Sequence, residues 1–227
     1  MSPYFGPRTF RFLRALAHHN ERAWFQAHKA DYEAHLREPF LRLIADLQAP
    51  LASISPQYVA DPRRAGGSLF RIHRDVRFSN DKRPYKTWSG ARCFHQRARQ
   101  VHAPSFYIHI EPGNCFLGGG LWHPETATQR RIRDFILDNP DAWTRATRAP
   151  DFVHRFDWGG ESLVRSPRGY PADHPLIDDL KRKDFVVAQP LDETVVCGPG
   201  LLDAVVDGFR GAAPLVDYLC AALDLEF

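Results

Sequence analysis

The sequence has little of what marks a membrane protein or a secreted one. None of its apolar runs approaches the roughly 20 residues that a membrane-spanning helix needs. Residues 1–7 do not combine a basic stretch with an apolar one, which is the pattern of a secretory signal. We therefore expect no membrane association and no secretory leader.

Cysteine is scarce and scattered. The chain has four cysteines, Cys93, Cys115, Cys197 and Cys220, and no two of them have the spacing of a metal site. Isolated cysteines in a chain of this length are typical of reduced thiols, which predicts a cytoplasmic location. No phosphate-loop pattern is present, and we expect neither a cofactor nor a bound metal.

The composition is that of an ordinary globular protein. Of 227 residues, 44% are hydrophobic and 12% aromatic, enough for one core, so we predict one domain over residues 1–227. Predicted strands cluster in the middle of the chain and predicted helices lie at both ends. This order favours an α+β fold with a mostly antiparallel sheet of about five strands flanked by the terminal helices. Residues 201–209 and 215–223 predict two C-terminal helices.

The most unusual segment is residues 70–87, which hold six Lys/Arg, one His and two Asp. Phe70, Ile72, Val76 and Phe78 recur at even spacing, which predicts a strand. From Ser79 onwards the alternation stops, and the polar residues and proline that follow predict a turn.

Basic charge is concentrated around this segment. Residues 63–99 contain eleven Lys/Arg and two Asp, a net charge of +9, whereas the remainder of the chain carries a net −6. Such a cluster favours an anionic partner. The predicted anion ligands are Arg71, Arg74, Arg77, Lys82, Tyr85 and Lys86, with Thr87 as a further hydroxyl donor. The alternative is a solvated surface on which the arginines pair with Asp75 and Asp81.

A β-hairpin follows. Phe106, Ile108 and Ile110 alternate with Tyr107, His109 and Glu111, so the first three should be buried and the other three should share the opposite face. Residues 111–114 place Pro and Gly where a type II turn needs them.

Four residues are weak candidates for chemistry: His73, Asp75, His109 and Glu111. Within each His–carboxylate pair the residues are two apart on a predicted strand and face the same way. Together the four could hold a divalent ion, which we do not favour, or either histidine could act as an acid or base oriented by its carboxylate. Ser79 is the one candidate nucleophile, and a turn explains it more simply.

The sequence resembles the uncharacterised family called domain of unknown function 2461. The resemblance covers nearly the whole chain, and the matching segments are residues 20–25, 28–29, 71–86, 107–113, 118–122, 167–170, 174–175 and 214–215. It implies one soluble domain of bacterial type and no established activity, so no catalytic residue is transferred. The chain departs from the family pattern at Asn80, where a lysine is expected, and this removes one charge from the basic segment.

Two functions from different classes fit the sequence. The first is a protein that binds a phosphate or carboxylate anion, or an enzyme that acts on a phosphorylated small molecule or a nucleotide. The second is a non-catalytic module that docks an acidic protein or a nucleic-acid backbone, with nucleic acid the less favoured partner. A concave site would favour the first and a flat basic surface the second. The sequence does not indicate an oligomeric state.

Overall fold

A computed structural model describes residues 2–227 and shows an α+β fold built on one antiparallel sheet. Its six strands lie in the order β1-β2-β3-β4-β6-β5. Their bounds are Tyr58–Val59 for β1, Ser89–His95 for β2, Ser105–Ile110 for β3, Cys115–Leu121 for β4, Asp157–Gly159 for β5 and Phe185–Leu191 for β6. The predicted fold class is confirmed.

Helices precede, interrupt and follow the strands. Their bounds are Pro7–His18 for α1, Arg22–Ala27 for α2, Lys29–Tyr32 for α3, Glu38–Ile54 for α4, Thr126–Asp138 for α5, Pro140–Arg148 for α6, Pro150–Arg155 for α7, Ile177–Leu180 for α8, Glu193–Val196 for α9 and Leu201–Ala222 for α10. A π-helical turn, Glu33–Arg37, joins α3 to α4. None of the helices within residues 2–227 has both the length and the apolar character that crossing a bilayer requires.

Helix α10 covers one face of the sheet. It packs across β4 and β3 and against α4, and its buried side chains belong to one continuous core. The close approach depends on glycine, because a Cβ at Gly119 of β4 would lie only 2.8 Å from the Cβ of Ala212. The core forms between the sheet and this long helix.

The prediction of two C-terminal helices is wrong, because α10 is continuous and contains Pro214. Proline removes one backbone hydrogen bond from a helix and usually ends or bends it. Here the apolar stripe keeps its helical spacing on both sides of the proline, through Phe209, Ala212, Val216 and Leu219, all buried on α10. The free energy gained by burying this stripe exceeds the cost of the lost backbone hydrogen bond.

The hairpin has the predicted register. Phe106, Ile108 and Ile110 are fully buried, and the Asn114 N–H donates to the Glu111 carbonyl at 3.0 Å to close the turn. Gly113 has a φ of +76°, as a type II turn requires at that position. Tyr107 and His109 lie together on the opposite face.

The strand predicted for residues 70–78 is wrong. Only Leu69 forms a bridge to β2, through Ala91, and the chain then leaves the sheet. Of the four alternating apolar residues only Ile72 is buried, while Phe78 is 95% exposed. Even spacing predicts a strand only where a neighbouring strand edge is available, and beyond Phe70 this segment pairs with itself.

The cysteine thiols are free and mostly buried. Cys93 in β2, Cys115 in β4 and Cys220 in α10 are buried, and Cys197 is partly exposed. Burial raises the pKa of Cys93 to about 12 and the pKa values of Cys115 and Cys220 to about 11.

Candidate functional site

Residues 70–88, which we call the basic loop, fold back on themselves beside helix α2. The Arg74 N–H donates to the Pro84 carbonyl and the Lys86 N–H donates to the Ile72 carbonyl, both at 2.8 Å. The side chain of Asn20 holds the loop to the helical layer: its amide donates to the Tyr85 carbonyl at 2.9 Å, and its oxygen accepts the Tyr85 N–H at 3.0 Å. The loop therefore has a defined shape although it is not a strand.

A cavity of about 410 Å³, which we call the basic pocket, lies between α2 and the basic loop. Its wall is formed by Arg22, Gln26, His73, Arg74, Val76, Pro84 and Tyr85. The Tyr85 ring is 2% exposed and stacks on Phe25 of α2, with ring centroids 4.1 Å apart. Aromatic packing thus fixes the base of the pocket, while Arg22 and Arg74 enter it from separate segments.

The two aspartates of the loop take up part of its basic charge. Asp75 accepts two hydrogen bonds from the exposed guanidinium of Arg77, at 3.0 and 2.7 Å. Asp81 is shared by Arg74, at 2.5 Å, and Arg83, at 2.7 Å. These pairs are the alternative that the sequence left open, and they draw Arg77 away from the pocket wall.

The two predicted lysine ligands bind the loop's own backbone. The Lys86 ammonium donates to the carbonyls of Arg71 and His73, at 2.6 and 3.1 Å, and Lys82 donates to the Val76 carbonyl at 3.0 Å. Their direct role is to hold the loop closed. Arg71 is exposed, and its guanidinium contacts no partner within residues 2–227.

The pKa shifts show a positive potential on the inner side of the loop. Burial lowers the pKa of His73, and the charges of Arg71, Lys86 and Arg22 lower it further. Burial also lowers the pKa of Lys86, with Arg71 and Arg74 adding to the effect. Hydrogen bonds from Arg77 lower the pKa of Asp75 to about 2. Anionic charge brought into the pocket would reduce the repulsion among these cations.

The four weak candidates for chemistry do not form one cluster. No group of three or more His, Cys, Asp or Glu side chains in residues 2–227 is arranged to hold a metal ion. His73 lines the basic pocket, and Asp75 pairs with Arg77. His109 and Glu111 are in contact on the sheet, with Nε2 and Oε2 3.2 Å apart. Ser79 accepts the Asp81 N–H at 3.2 Å and acts as a turn residue.

A family model described as "Conserved hypothetical protein (DUF2461)" matches residues 8–218, which is nearly all of the chain. The chain belongs to the DUF2461 family. Among curated proteins and among solved structures, no match was found. The site of this DUF2461 protein is therefore interpreted from its own geometry.

Arg22 and Gln26 are the polar pocket residues that sequence reasoning missed. Arg22 begins α2, far from the basic segment in sequence, and its neighbours Trp24 and Phe25 are side chains typical of a core. The available signal was Asn20, a polar residue within the segment that resembles the family and one that binds the basic loop in the structure. A fold contact between residues 65 positions apart could not be deduced from spacing.

Proposed function

We propose that this DUF2461 protein binds a small molecule carrying a phosphate or carboxylate group in the basic pocket. The supporting observation is convergence: Arg22 from α2 and His73 and Arg74 from the loop line one cavity. The guanidinium of Arg22 makes no hydrogen bond or ion pair within residues 2–227, so it is free to bind a ligand. Guanidinium groups bind phosphate and carboxylate oxygens through paired hydrogen bonds.

The pocket's shape favours a small ligand over a macromolecular surface. A cavity of about 410 Å³ is within the usual range for small-molecule sites. The outward-facing charges of Arg77 and Arg83 are already paired with Asp75 and Asp81, which leaves less free positive charge for a long acidic partner. A phosphorylated metabolite or a nucleotide is the ligand class we propose, either as a bound effector or as the substrate of an enzyme.

The first experiment measures binding of sulfate, inorganic phosphate and a panel of phosphorylated metabolites by thermal shift and calorimetry. We expect wild type to be stabilised and Arg22→Ala to lose at least about tenfold in affinity, because a hydrogen bond to a charged group contributes about 1.5–3 kcal/mol. Arg71→Ala should weaken binding less, through loss of long-range attraction. Arg77→Ala is the control, since it also removes an arginine, from the basic loop but outside the pocket wall.

Two results would contradict the proposal. One is the absence of any anion that stabilises wild type. The other is equal loss of affinity in Arg22→Ala and Arg77→Ala, which would indicate a diffuse electrostatic effect. Stabilisation by an acidic peptide or by nucleic acid, but not by the small anions, would favour the docking module.

Binding should also depend on pH through His73. In the free protein the pKa of His73 lies below its ordinary value. A bound anion would stabilise the imidazolium form and raise the pKa of His73. Affinity should therefore increase as the pH falls from the pKa of the bound protein to that of the free protein, and it should be constant at pH values above this interval. Sulfate is the suitable probe, because it stays a dianion between about pH 5 and 8, where histidine titrates.

The measurement is calorimetry of sulfate binding across that pH range. In His73→Gln the pH dependence should disappear while binding at the upper end of the range is retained. A flat profile in wild type, or an equal slope in the variant, would show that His73 does not face the bound anion.

A further inference from the structure

The face of the sheet opposite α10 carries a second and larger cavity, which we call the aromatic groove. Its volume is about 550 Å³, and every residue that lines it belongs to a strand or a loop. It lies over the centre of the sheet, from β2 across β3 and β4 to β6 and β5. The groove is thus separate from the pocket at α2, although Phe70 and Trp88, the two ends of the basic loop, form part of its wall.

Glycines keep the floor of the groove low. Gly118 and Gly120 of β4 and Gly159 of β5 line the groove and add no side chain to its floor. A Cβ at Gly90 of β2 would collide with the Tyr107 hydroxyl, so glycine there lets the Tyr107 ring lie across the strand. Glycine inside strands weakens a sheet and often marks a close approach by a ligand or another backbone.

Aromatic rings form the walls. Trp88 lies against His109, with ring centroids 4.9 Å apart, and His109 stacks on Phe116 at 4.6 Å. Trp122 follows the last residue of β4 and lines the groove there, with 54% of its surface exposed. An exposed tryptophan face at one end of an apolar groove can accept a further planar ring.

A chain of hydrogen bonds through Glu111 and His109 fixes the orientation of the Tyr107 hydroxyl, a polar group of the groove. His109 Nε2 lies 3.2 Å from Glu111 Oε2, and His109 Nδ1 lies 2.9 Å from the Tyr107 hydroxyl. A carboxylate only accepts, so we assign the proton to Nε2; Nδ1 then accepts the Tyr107 O–H. The Tyr107 oxygen keeps its lone pairs for a donor on a ligand. Burial lowers the pKa of His109, which favours this neutral form although Glu111 opposes the shift.

Arg92 and His102 stand at the rim of the groove. Arg92 lies directly opposite Tyr107 in the register of β2 and β3, and both residues line the groove. The side chains of Arg92 and His102 make no hydrogen bond or ion pair within residues 2–227. Charge complementarity therefore indicates an anionic group on the occupant, next to the aromatic floor.

We propose that the aromatic groove binds a planar aromatic acid, a ring system that carries a carboxylate or a phosphate. The ring stacks on Trp122 over the glycine floor, and the anionic group binds the guanidinium of Arg92. A ring N–H or O–H donates to Tyr107. His109 and Glu111 are positioning residues that fix the direction of the Tyr107 hydroxyl.

The test uses three probes of matched size with the full-length protein: naphthoate, its neutral amide naphthamide, and saturated decalin carboxylate. Ligand-observed NMR detects binding and competition gives the dissociation constants. Naphthoate should bind best, since it alone offers both the planar ring and the charge. Arg92→Gln should lower naphthoate affinity about tenfold or more and leave naphthamide unchanged, because only the first uses the charged hydrogen bond.

Ring stacking is tested separately. Trp122→Ala should weaken both naphthalene probes by about fivefold or more and leave decalin carboxylate unchanged, and its exposed position makes misfolding a minor concern. Phe78→Ala is the aromatic control, since Phe78 is 95% exposed on the basic loop. Arg22→Ala, which acts in the basic pocket, should leave naphthoate binding intact and so separates the two proposals.

The proposal is overturned by any of three outcomes. Naphthoate fails to bind at millimolar concentration; or decalin carboxylate binds as tightly as naphthoate, which excludes stacking; or Arg92→Gln and Trp122→Ala, both folded by circular dichroism, bind naphthoate like wild type.

Discussion

Replacement of Asp184 by alanine is expected to lower the free energy of unfolding by about 3 kcal/mol or more. The carboxylate is 1% exposed and accepts the N–H groups of His123, at 2.7 Å, and Glu161, at 2.8 Å. Each buried donor left without an acceptor costs about 1–3 kcal/mol. In a chain of this size the change should lower the melting temperature by about 10 °C.

The reason for the large effect is that Asp184 holds two unusual backbone conformations. His123 has a φ of 50° and Gly160 a φ of +80°, and both lie beside the carboxylate. A non-glycine residue in the left-handed region needs surrounding contacts to keep it there. Because Trp122 precedes His123, the variant should also weaken naphthoate binding in the groove.

The control is the neighbouring exposed pair of Lys183 and Glu161, at 2.9 Å. Lys183→Ala should change stability by less than about 1 kcal/mol, as is usual for surface ion pairs. Asp184→Asn keeps one acceptor oxygen and should fall between wild type and alanine. Chemical denaturation of all three variants checks the order. An Asp184→Asn variant as stable as wild type would mean that packing, not hydrogen bonding to both oxygens, is what the residue supplies.

Gly119→Ala is expected to lower the free energy of unfolding by about 2 kcal/mol. The added methyl group would lie 2.8 Å from the Cβ of Ala212 and 3.3 Å from Cγ2 of Val216 on α10. Adding atoms to a close-packed interface typically costs about 1–3 kcal/mol, since the helix must move away from the sheet. Urea denaturation measures the loss.

A second glycine gives the matched control. At Gly159 in β5 an added Cβ would lie 3.4 Å from Val186 Cγ2, an ordinary contact, so Gly159→Ala should cost little. Ala212→Gly removes the atom that Gly119→Ala would meet, and the double variant should recover part of the loss. If the two changes proved additive, the helix–sheet contact at Gly119 would not be the cause.

The hairpin was predictable because the residues that determine it lie close together in the sequence. Alternation over residues 106–110 and a Pro-Gly turn determine which side chains face the core, and the structure confirms both. The basic loop has similar alternation, yet it is not a strand, since the pattern does not show whether a neighbouring edge is free. Continuity of α10 through Pro214 likewise depends on burial against the sheet, which propensity rules leave out.

The candidate sites were predictable only in part. Charge counting identified the segment that forms one wall of the basic pocket, but the opposite wall comes from Arg22, brought near by the Asn20–Tyr85 contact. The aromatic groove draws on five strands and three loops, so no single window of sequence contains its pattern. Its one local signal in the sequence is the triple glycine of residues 118–120. All three glycines line the groove, and Gly119 also allows the close packing of Ala212 of α10.

Labelling of the buried cysteines can report when helix α10 separates from the sheet. Cys93 faces the core from β2 and Cys220 from α10, and their raised pKa values keep both thiols protonated at neutral pH. Only a thiolate reacts readily with a disulfide reagent, so modification must wait until the thiol reaches solvent. The rate at which each cysteine is labelled therefore measures how often its element separates from the rest. Equal rates at both positions would mean that α10 leaves the sheet only when the whole chain unfolds, whereas faster labelling at Cys220 would reveal a local excursion of the helix.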